Sequence, residues 1–475
     1  MKNYTLKEIE KQFGIPVRKL AFLIRKDILG STIKEGKLNV TEEEIHKYLH
    51  QPKSETKGQQ TSFLKTLGPG IITGASDDDP SGIGTYSQVG AQYGLGLTWL
   101  SLYLLPMNTA VQETVARIGI VTGKGLAGVI SKHYGKKLLF LLVSLLVIAN
   151  TINIGADIGA MVASFQLLVP INFYIGAIIL TFGMLLLEIF FSYHKYAKIL
   201  KWLTISLFAY IATGIIIHPD WLAVGQSMII PKVVLDASFF AALVAVMGTT
   251  ISPYLFFWQA SEEVEEERDK GTLSDHHIAA YKVELKNMRK DTFAGMAYAN
   301  IVFLFIVVTT AFVLHNNGIT TINSAADAAL ALRPLAGNLA YLLFTIGIFG
   351  VGLLSVPVLA GSSAYAVSDI LGWREGLNKE FNKAKAFYGV IIASMLVGLA
   401  MNFFGINPIK ALYYAAIVNG TASPILMYFI FKVGNDKRVM GQFTSPRWVN
   451  FWGYIATGLM GVAAITLYIF LALGK

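Results

Sequence analysis

The chain has 475 residues, of which 54% are hydrophobic and only 15% charged. Soluble domains carry about 25% charged residues, so this composition predicts a polytopic membrane protein. The absence of cysteine excludes disulfides, thiolate metal sites and a cysteine nucleophile. The net charge of +9 is read as the Lys/Arg excess of cytoplasmic loops, not as a nucleic-acid signal.

Residues 1–58 are polar, rich in Lys and Glu, and carry no signal peptide, which predicts a cytoplasmic N-terminus. "YTLKEIEKQFGIPVRKLAFLIRKDILG" reads as helix, turn at Gly14-Ile15-Pro16, helix. "LNVTEEEIHKYL" reads as a third helix, with Thr41 and Glu44 at capping-box spacing. Together they suggest a small helix-turn-helix-like module of the excisionase or MerR type. That shape permits DNA binding, but a membrane tether favours a structural or protein-contact role with an unassigned partner. "QPKSETKGQQTS" (51–62) is a linker.

From residue 63 to 475 the chain reads as one transmembrane domain. Apolar segments recur near 63–95, 97–122, 137–167, 172–192, 199–218, 237–260, 292–315, 338–370, 386–404, 409–432 and 447–472, about eleven spans. Lys and Arg collect in the loops near 123–136, 193–201, 261–291, 371–385 and 433–447. The alternate loops hold little beyond Lys232, Arg333 and Lys410. This asymmetry predicts a multi-pass cell-membrane protein with a cytoplasmic N-terminus.

Two spans are interrupted in similar places. The first contains "SDDDPSGIG", with Asp77, Asp78 and Asp79 ahead of Pro80. The sixth contains "MGTTISPYLFFW", with Thr249, Ser252 and Tyr254 around Pro253. Proline removes a donor and clashes with the preceding turn, so both helices are expected to unwind. Matched interruptions in two halves of a chain point to a transport site near the bilayer midplane. An ionised carboxylate there costs roughly 3 kcal/mol, and a bound cation would compensate it. Carboxylate, hydroxyl and carbonyl oxygens suit Mg²⁺, Mn²⁺ or Ca²⁺. Asp79 can also simply cap the second half-helix, with Pro80 in its first turn.

These residues carry a resemblance. "GPGIITGASDDDPSGIGTYSQVGAQYG" resembles the first helix of the NRAMP family of divalent-metal transporters, whose hallmark is Asp-Pro-Gly-Asn. "ARIGIVTGKGLAGVISKHYG" resembles its second helix and following loop. "GTTISPYLFFWQAS" falls where the family has Ala-x-x-Met-Pro-His, and "RKDTFAGMAYAN" resembles the start of its seventh helix. The resemblance covers about residues 63–435. It implies an all-α LeuT-type fold of two inverted five-helix repeats with an eleventh helix.

The resemblance also assigns positions. Asp79 matches the family's metal-binding Asp, and Gly82 stands in place of its metal-binding Asn. Ser252 replaces the Met whose thioether selects transition metals. Thr249 replaces a residue that gives a carbonyl ligand, and Tyr254 a His tied to proton movement. Asn153 and Ala156 replace the acids of the proton route, with Asp157 one position away. Sulfur is lost and smaller oxygen donors remain, which leaves room for a partly hydrated hard ion. The departures resemble the magnesium-transporting branch related to NRAMP.

Other intramembrane polar residues have blander readings. Glu113 and Arg117 are expected to pair across four residues. Asp157 is either a structural partner or part of the cation path. Glu188 is expected at the interface, Asn419 near the metal or in a helix-helix hydrogen bond, and Tyr86 and Gln88 in a vestibule or in packing. The charge run "ASEEVEEERDKGTLSDHH" is expected to be a solvated helix end. No P-loop, nucleophile elbow or Rossmann pattern competes, so the chain is read as a non-enzyme without a cofactor.

The leading expectation is alternating-access uptake of Mg²⁺ or Mn²⁺, with membrane lipid and the ion as the only partners of the transporter domain, which binds no nucleic acid. Asp79 leads a site shared with Asp78, Gly82, Thr249 and Ser252. Tyr254, Asn419, Asp157 and Asn153 line the path. Other readings are a proton-coupled Mn²⁺/Fe²⁺ NRAMP, a carrier of another cationic solute, and a cation sensor.

Overall fold

The computed structural model describes residues 3–5, 8, 32–34, 37–41, 68–190, 203–270, 278–377 and 379–474. The chain divides into two compact units, Met1–Thr66 and Leu67–Lys475.

The first unit contains an antiparallel sheet that the helical reading of 1–58 does not contain. Strands β1 (Asn3–Thr5), β2 (Thr32–Lys34) and β3 (Lys37–Thr41) lie in the order β1-β3-β2. Thr41 pairs with Asn3 across this sheet. The period-two pattern Leu38-x-Val40, with Val40 fully buried, makes 37–41 a strand where the lead-in to the third helix is expected. At the end of β1 the N–H of Thr5 donates to Glu8 Oε2 at 2.8 Å, which is half of a capping box. The rest of the three-helix reading, the linker and the 193–201 loop lie outside the described residues.

The second unit is helical. Its first span is two helices, α1 (Pro69–Asp77) and α2 (Pro80–Tyr93). Then come α3 (Trp99–Thr122), the short α4 (Leu126–Tyr134), α5 (Lys136–Phe165) and α6 (Phe173–Phe190). Helices α7 (Phe208–Ile216) and α8 (Trp221–Ile229) meet at 115°. A second interrupted span consists of α9 (Ala237–Thr250) and α10 (Pro253–Lys270). It is followed by α11 (Ile278–Val313), α12 (Ala340–Leu371), α13 (Lys385–Met401), α14 (Pro408–Asn435) and α15 (Arg447–Leu473).

Among the described residues, 8 helices are long and apolar enough to cross a membrane, or 9 if α7 and α8 form one span. Two of the expected eleven spans are missing from that set. One is the α1–α2 pair, whose halves are individually too short. The other is α3, which buries Asn108, Gln112, Glu113 and Arg117. The outer faces carry exposed apolar side chains such as Phe140, Ile179, Phe190, Leu235 and Phe404, as expected where lipid replaces water.

The helices around the two breaks approach closely because their contact positions are small. A Cβ on Gly74 of α1 would lie 2.2 Å from the Gly295 carbonyl oxygen of α11. A Cβ on Gly248 of α9 would lie 2.2 Å from the Ala416 carbonyl oxygen of α14. Small residues let membrane helices pack backbone against backbone, where apolar burial alone gives no preference over lipid. Gly74→Leu is expected to push α1 off α11 at a cost of about 1–3 kcal/mol or more. The check is a lower melting temperature of the purified protein in detergent.

At its N-terminal end α1 is anchored by a carboxylate from α11. Asp291 accepts from the N–H groups of Gly68 at 3.0 Å and Gly70 at 2.7 Å, which lack intrahelical partners. The break in the first span is therefore held between this cap and the Gly74–Gly295 crossing.

Candidate metal site

Each break leaves two residues outside helical geometry immediately before a proline. In the first, Asp78 has φ −84 and ψ 47, and Asp79 is extended at φ −64 and ψ 173. In the second, Ile251 bends at φ −114 and ψ 67, and Ser252 follows outside any regular element. Pro80 and Pro253 open the following helices, where a missing N–H costs nothing.

The carboxylate of Asp79 ties the breaks together. Its Oδ1 accepts from the Gly82 N–H at 2.7 Å and from the Ser81 hydroxyl at 2.6 Å, so it caps α2. Its Oδ2 accepts from Asn153 Nδ2 of α5 at 2.9 Å and faces the Tyr254 hydroxyl of α10 at 3.4 Å. That hydroxyl donates to the Ser76 carbonyl at 2.7 Å, which joins α10 to α1. Ser81 and Thr249 hydroxyls meet at 3.2 Å, and Tyr86 and Thr250 hydroxyls at 2.9 Å. Ser81, Thr250 and the bridging role of Tyr86 are not evident in the sequence, where several hydroxyl residues flank each break without a fixed direction.

Position 82 faces the same space. A Cβ there would sit 3.2 Å from the Asp77 carbonyl oxygen and 3.5 Å from Thr249 Oγ1. Ser252 folds back, with its hydroxyl shared between the carbonyls of Gly248 at 2.9 Å and Thr249 at 2.7 Å. Asp78 is wholly buried, and neither of its carboxylate oxygens has a hydrogen-bond partner among the described residues.

Of the expected path residues, Asn153 and Tyr254 contact Asp79 directly, whereas Asp157 and Asn419 make no hydrogen bond to it. Asp157 is buried on α5, takes a long contact of 3.5 Å from the Ser355 hydroxyl, and leaves Oδ1 unpartnered. Asn419 is buried on α14 with both amide atoms unpartnered, one turn before Ser423, whose hydroxyl donates to the Ile251 carbonyl of the second break at 2.8 Å. Among the described residues no group of three or more His, Asp and Glu side chains is arranged to hold an ion. The donors around the breaks are two adjacent carboxylates, hydroxyls, amides and backbone carbonyls.

Three of the blander readings need revision. Glu113 pairs with Arg117 at 2.5 Å as expected, but also takes a two-pronged contact from Arg289 of α11 at 3.1 and 2.9 Å. Glu188, expected at the interface, is only 2% exposed, because the 173–190 helix turns that face inward. The charge run at 261–267 is not solvated. Glu262, Glu263, Glu265 and Glu267 are buried, and the Tyr365 hydroxyl of α12 meets Glu262 at 3.2 Å and Glu265 at 2.7 Å. Packing of α10 against α12 covers what helical periodicity leaves as a polar end. His276 and His277 lie outside the described residues. Tyr86 packs on Phe303 with ring centroids 4.6 Å apart, and Gln88 receives the Ile322 N–H at 2.9 Å.

The loop after α12 docks on this acidic stretch, with the Leu377 N–H donating to the Tyr365 hydroxyl at 3.2 Å. Burial and the neighbouring Asp369 push the Glu375 carboxyl up to about 8, Glu265 adds to the shift, and Arg268 and Lys379 oppose it. A carboxyl raised on folding contributes stability that is full below its ordinary value and lost as pH rises through the folded one. Docking of the loop is therefore expected to weaken between about pH 4.5 and about 8. Hydrogen exchange at Leu377, corrected for intrinsic rate, should accelerate over that range.

Residues 70–470 match the family model described as natural resistance-associated macrophage protein-like, Nramp. The fold is similar to a crystal structure of the Eremococcus coleocola manganese transporter in complex with an aromatic bis-isothiourea substituted compound. The two are 16% identical with a TM-score of 0.69, and the match covers 87% of each chain. Two structures of single-residue mutants of that transporter give a TM-score of 0.68 at 16% identity, covering 86% of this chain and 87% of theirs. At this identity the likeness speaks for the fold, which is the LeuT-type arrangement with an interrupted helix in each half. With the family model spanning the whole transmembrane unit and the two breaks brought together at Asp79, the chain belongs to the Nramp family of integral-membrane divalent-metal transporters.

Proposed function

We propose that this protein carries a hard divalent cation, Mg²⁺ or Mn²⁺, into the cell by alternating access, binding it between the two breaks. The observation that carries this reading is Asp78. It is a fully buried carboxylate with no partner among the described residues, next to a second buried carboxylate. An uncompensated buried charge costs several kcal/mol, and a divalent ion removes that cost for both groups.

Asp79 is the principal ligand in this reading. Asp78, the Thr249 and Ser252 oxygens and the carbonyls of the breaks complete an oxygen-rich shell. The Gly82 position leaves room for retained water. With Ser at 252 the breaks offer no thioether, which favours Mg²⁺ or Mn²⁺ over softer metals. Asn153 and Tyr254 hold the Asp79 carboxylate in place, and Asn419 and Asp157 border the path. The Lys/Arg asymmetry of the loops supports a cell-membrane location with the N-terminus in the cytoplasm. The transported ion is cargo, and the mechanism uses no cofactor.

The alternative is proton-coupled Mn²⁺ or Fe²⁺ transport, and one feature favours it. Asp157 is a buried carboxylate one helical turn along α5 from Asn153, which bonds Asp79. Purified protein in proteoliposomes decides between these readings. Mg²⁺ and Mn²⁺ influx without acidification of the lumen supports the first. Metal-dependent acidification with no Mg²⁺ flux supports the second, and absence of any divalent flux defeats both.

A further inference from the structure

The carboxylates of the first break do not all face the same way. Asp79 points to α5 and α10. Asp77, the last residue of α1, points instead to α3, where Asn108 Nδ2 donates to its Oδ2 at 3.3 Å. Its other oxygen is buried and unpartnered, as is the Asn108 Oδ1.

Gln112 lies four residues along α3 from Asn108, on the same helix face and about 6 Å farther along the axis. It is fully buried, and neither Oε1 nor Nε2 has a partner among the described residues. Each such orphaned buried polar atom costs about 1–3 kcal/mol, so these four atoms are expensive to keep in a membrane protein without a guest. Asp77, Asn108 and Gln112 together offer three free oxygens, the donor type that Mg²⁺ and Mn²⁺ accept.

Chain direction gives the side of the membrane. Helix α1 runs from Pro69 to the break, and α3 runs antiparallel to it, toward the Lys-bearing 123–136 loop. Gln112 is therefore on the cytoplasmic side of Asp77. One residue beyond it but on a different face of α3, Glu113 is held by Arg117 and Arg289.

We infer that Asp77, Asn108 and Gln112 form a second, transient station for the partly hydrated divalent cation, between α1 and α3 on the inner side of the break. The ion passes through it from Asp78 and Asp79 on its way to the cytoplasm. This inference rests on the transport reading above. A station of this kind speeds release without adding to resting affinity, so its loss appears in turnover and not in equilibrium binding.

The test uses the full-length protein, with Mn²⁺ binding measured calorimetrically in detergent and Mn²⁺ and Mg²⁺ influx measured in proteoliposomes. The variants are Asp77→Asn, Gln112→Leu and Asp77→Glu, each checked for a monodisperse elution profile and an unchanged melting temperature, with Asn108→Leu replacing any that misfolds. Asp77→Asn and Gln112→Leu are expected to lower influx about tenfold while Mn²⁺ affinity changes by less than about threefold, and Asp77→Glu to restore most of the flux. Wild-type influx in both variants would overturn the station and leave only buried water there. Loss of equilibrium binding in Asp77→Asn would also overturn it, by assigning Asp77 to the primary site. Absence of flux in the wild-type protein would defeat the transport reading itself.

Discussion

Asp79→Asn is expected to abolish divalent-cation influx while leaving the protein folded. Asparagine caps a helix as well as aspartate does, so it can still accept from the Gly82 N–H and the Ser81 hydroxyl. It removes the charge and turns Oδ2 into a donor, which Asn153 can meet by flipping its amide, since its Oδ1 has no partner among the described residues. Losing one partner of a buried charged pair costs about 3–5 kcal/mol, equivalent to roughly 100- to 4,000-fold in affinity. Isotope or fluorescent-indicator flux in proteoliposomes measures the loss, and an unchanged melting temperature in detergent shows that the cap survives. Flux within about threefold of wild type would remove Asp79 from the site. Asp79→Ala is less informative, because losing the cap alone costs about 1 kcal/mol and loosens the break itself.

The second large effect concerns selectivity. Ser252→Met combined with Gly82→Asn is expected to convert the site toward transition metals. A side chain at 82 would project between the Asp77 carbonyl and Thr249 Oγ1 and fill space that the glycine leaves open. A thioether at 252 would add a soft donor and release the Gly248 and Thr249 carbonyls from the Ser252 hydroxyl. Soft donors favour Cd²⁺, whereas Mg²⁺ resists dehydration and loses its retained waters in a tighter shell. The double variant should gain about tenfold in Cd²⁺ affinity and lose about tenfold in Mg²⁺ influx, each about 1.4 kcal/mol. Calorimetry and flux competition measure the two changes. Unchanged preference would mean that positions 82 and 252 do not line the site.

The interruptions themselves are legible from residue type. Three carboxylates and a proline inside an apolar run cannot continue a lipid-facing helix, and the matching run before Pro253 has the same meaning. The charge run at 261–267 is the contrasting case. Periodicity places its glutamates on a polar helix end, but α12 and the loop at 376–377 cover them. Carboxylates are tolerated there because the Tyr365 hydroxyl, about a hundred residues away, meets Glu262 and Glu265, and no local pattern encodes that partner. In the first unit Leu38 to Val40 can read as the lead-in to a helix, and pairing with Asn3–Thr5 and Thr32–Lys34 makes them a strand.

Composition alone therefore determined that this chain lives in a membrane, and the Asp-Pro and Ser-Pro runs determined where its helices break, because both follow from the cost of unpaired backbone and charge in hydrocarbon. The tertiary structure decided which way each polar side chain faces. It turned Asp79 toward Asn153 and Tyr254, left Asp78 without a partner, and sent Asp77 toward Asn108. Those directions depend on how α3, α5 and α10 pack around the breaks. Neighbours some 30 to 175 residues apart are set by helix packing, and helix packing is a property of the assembled fold.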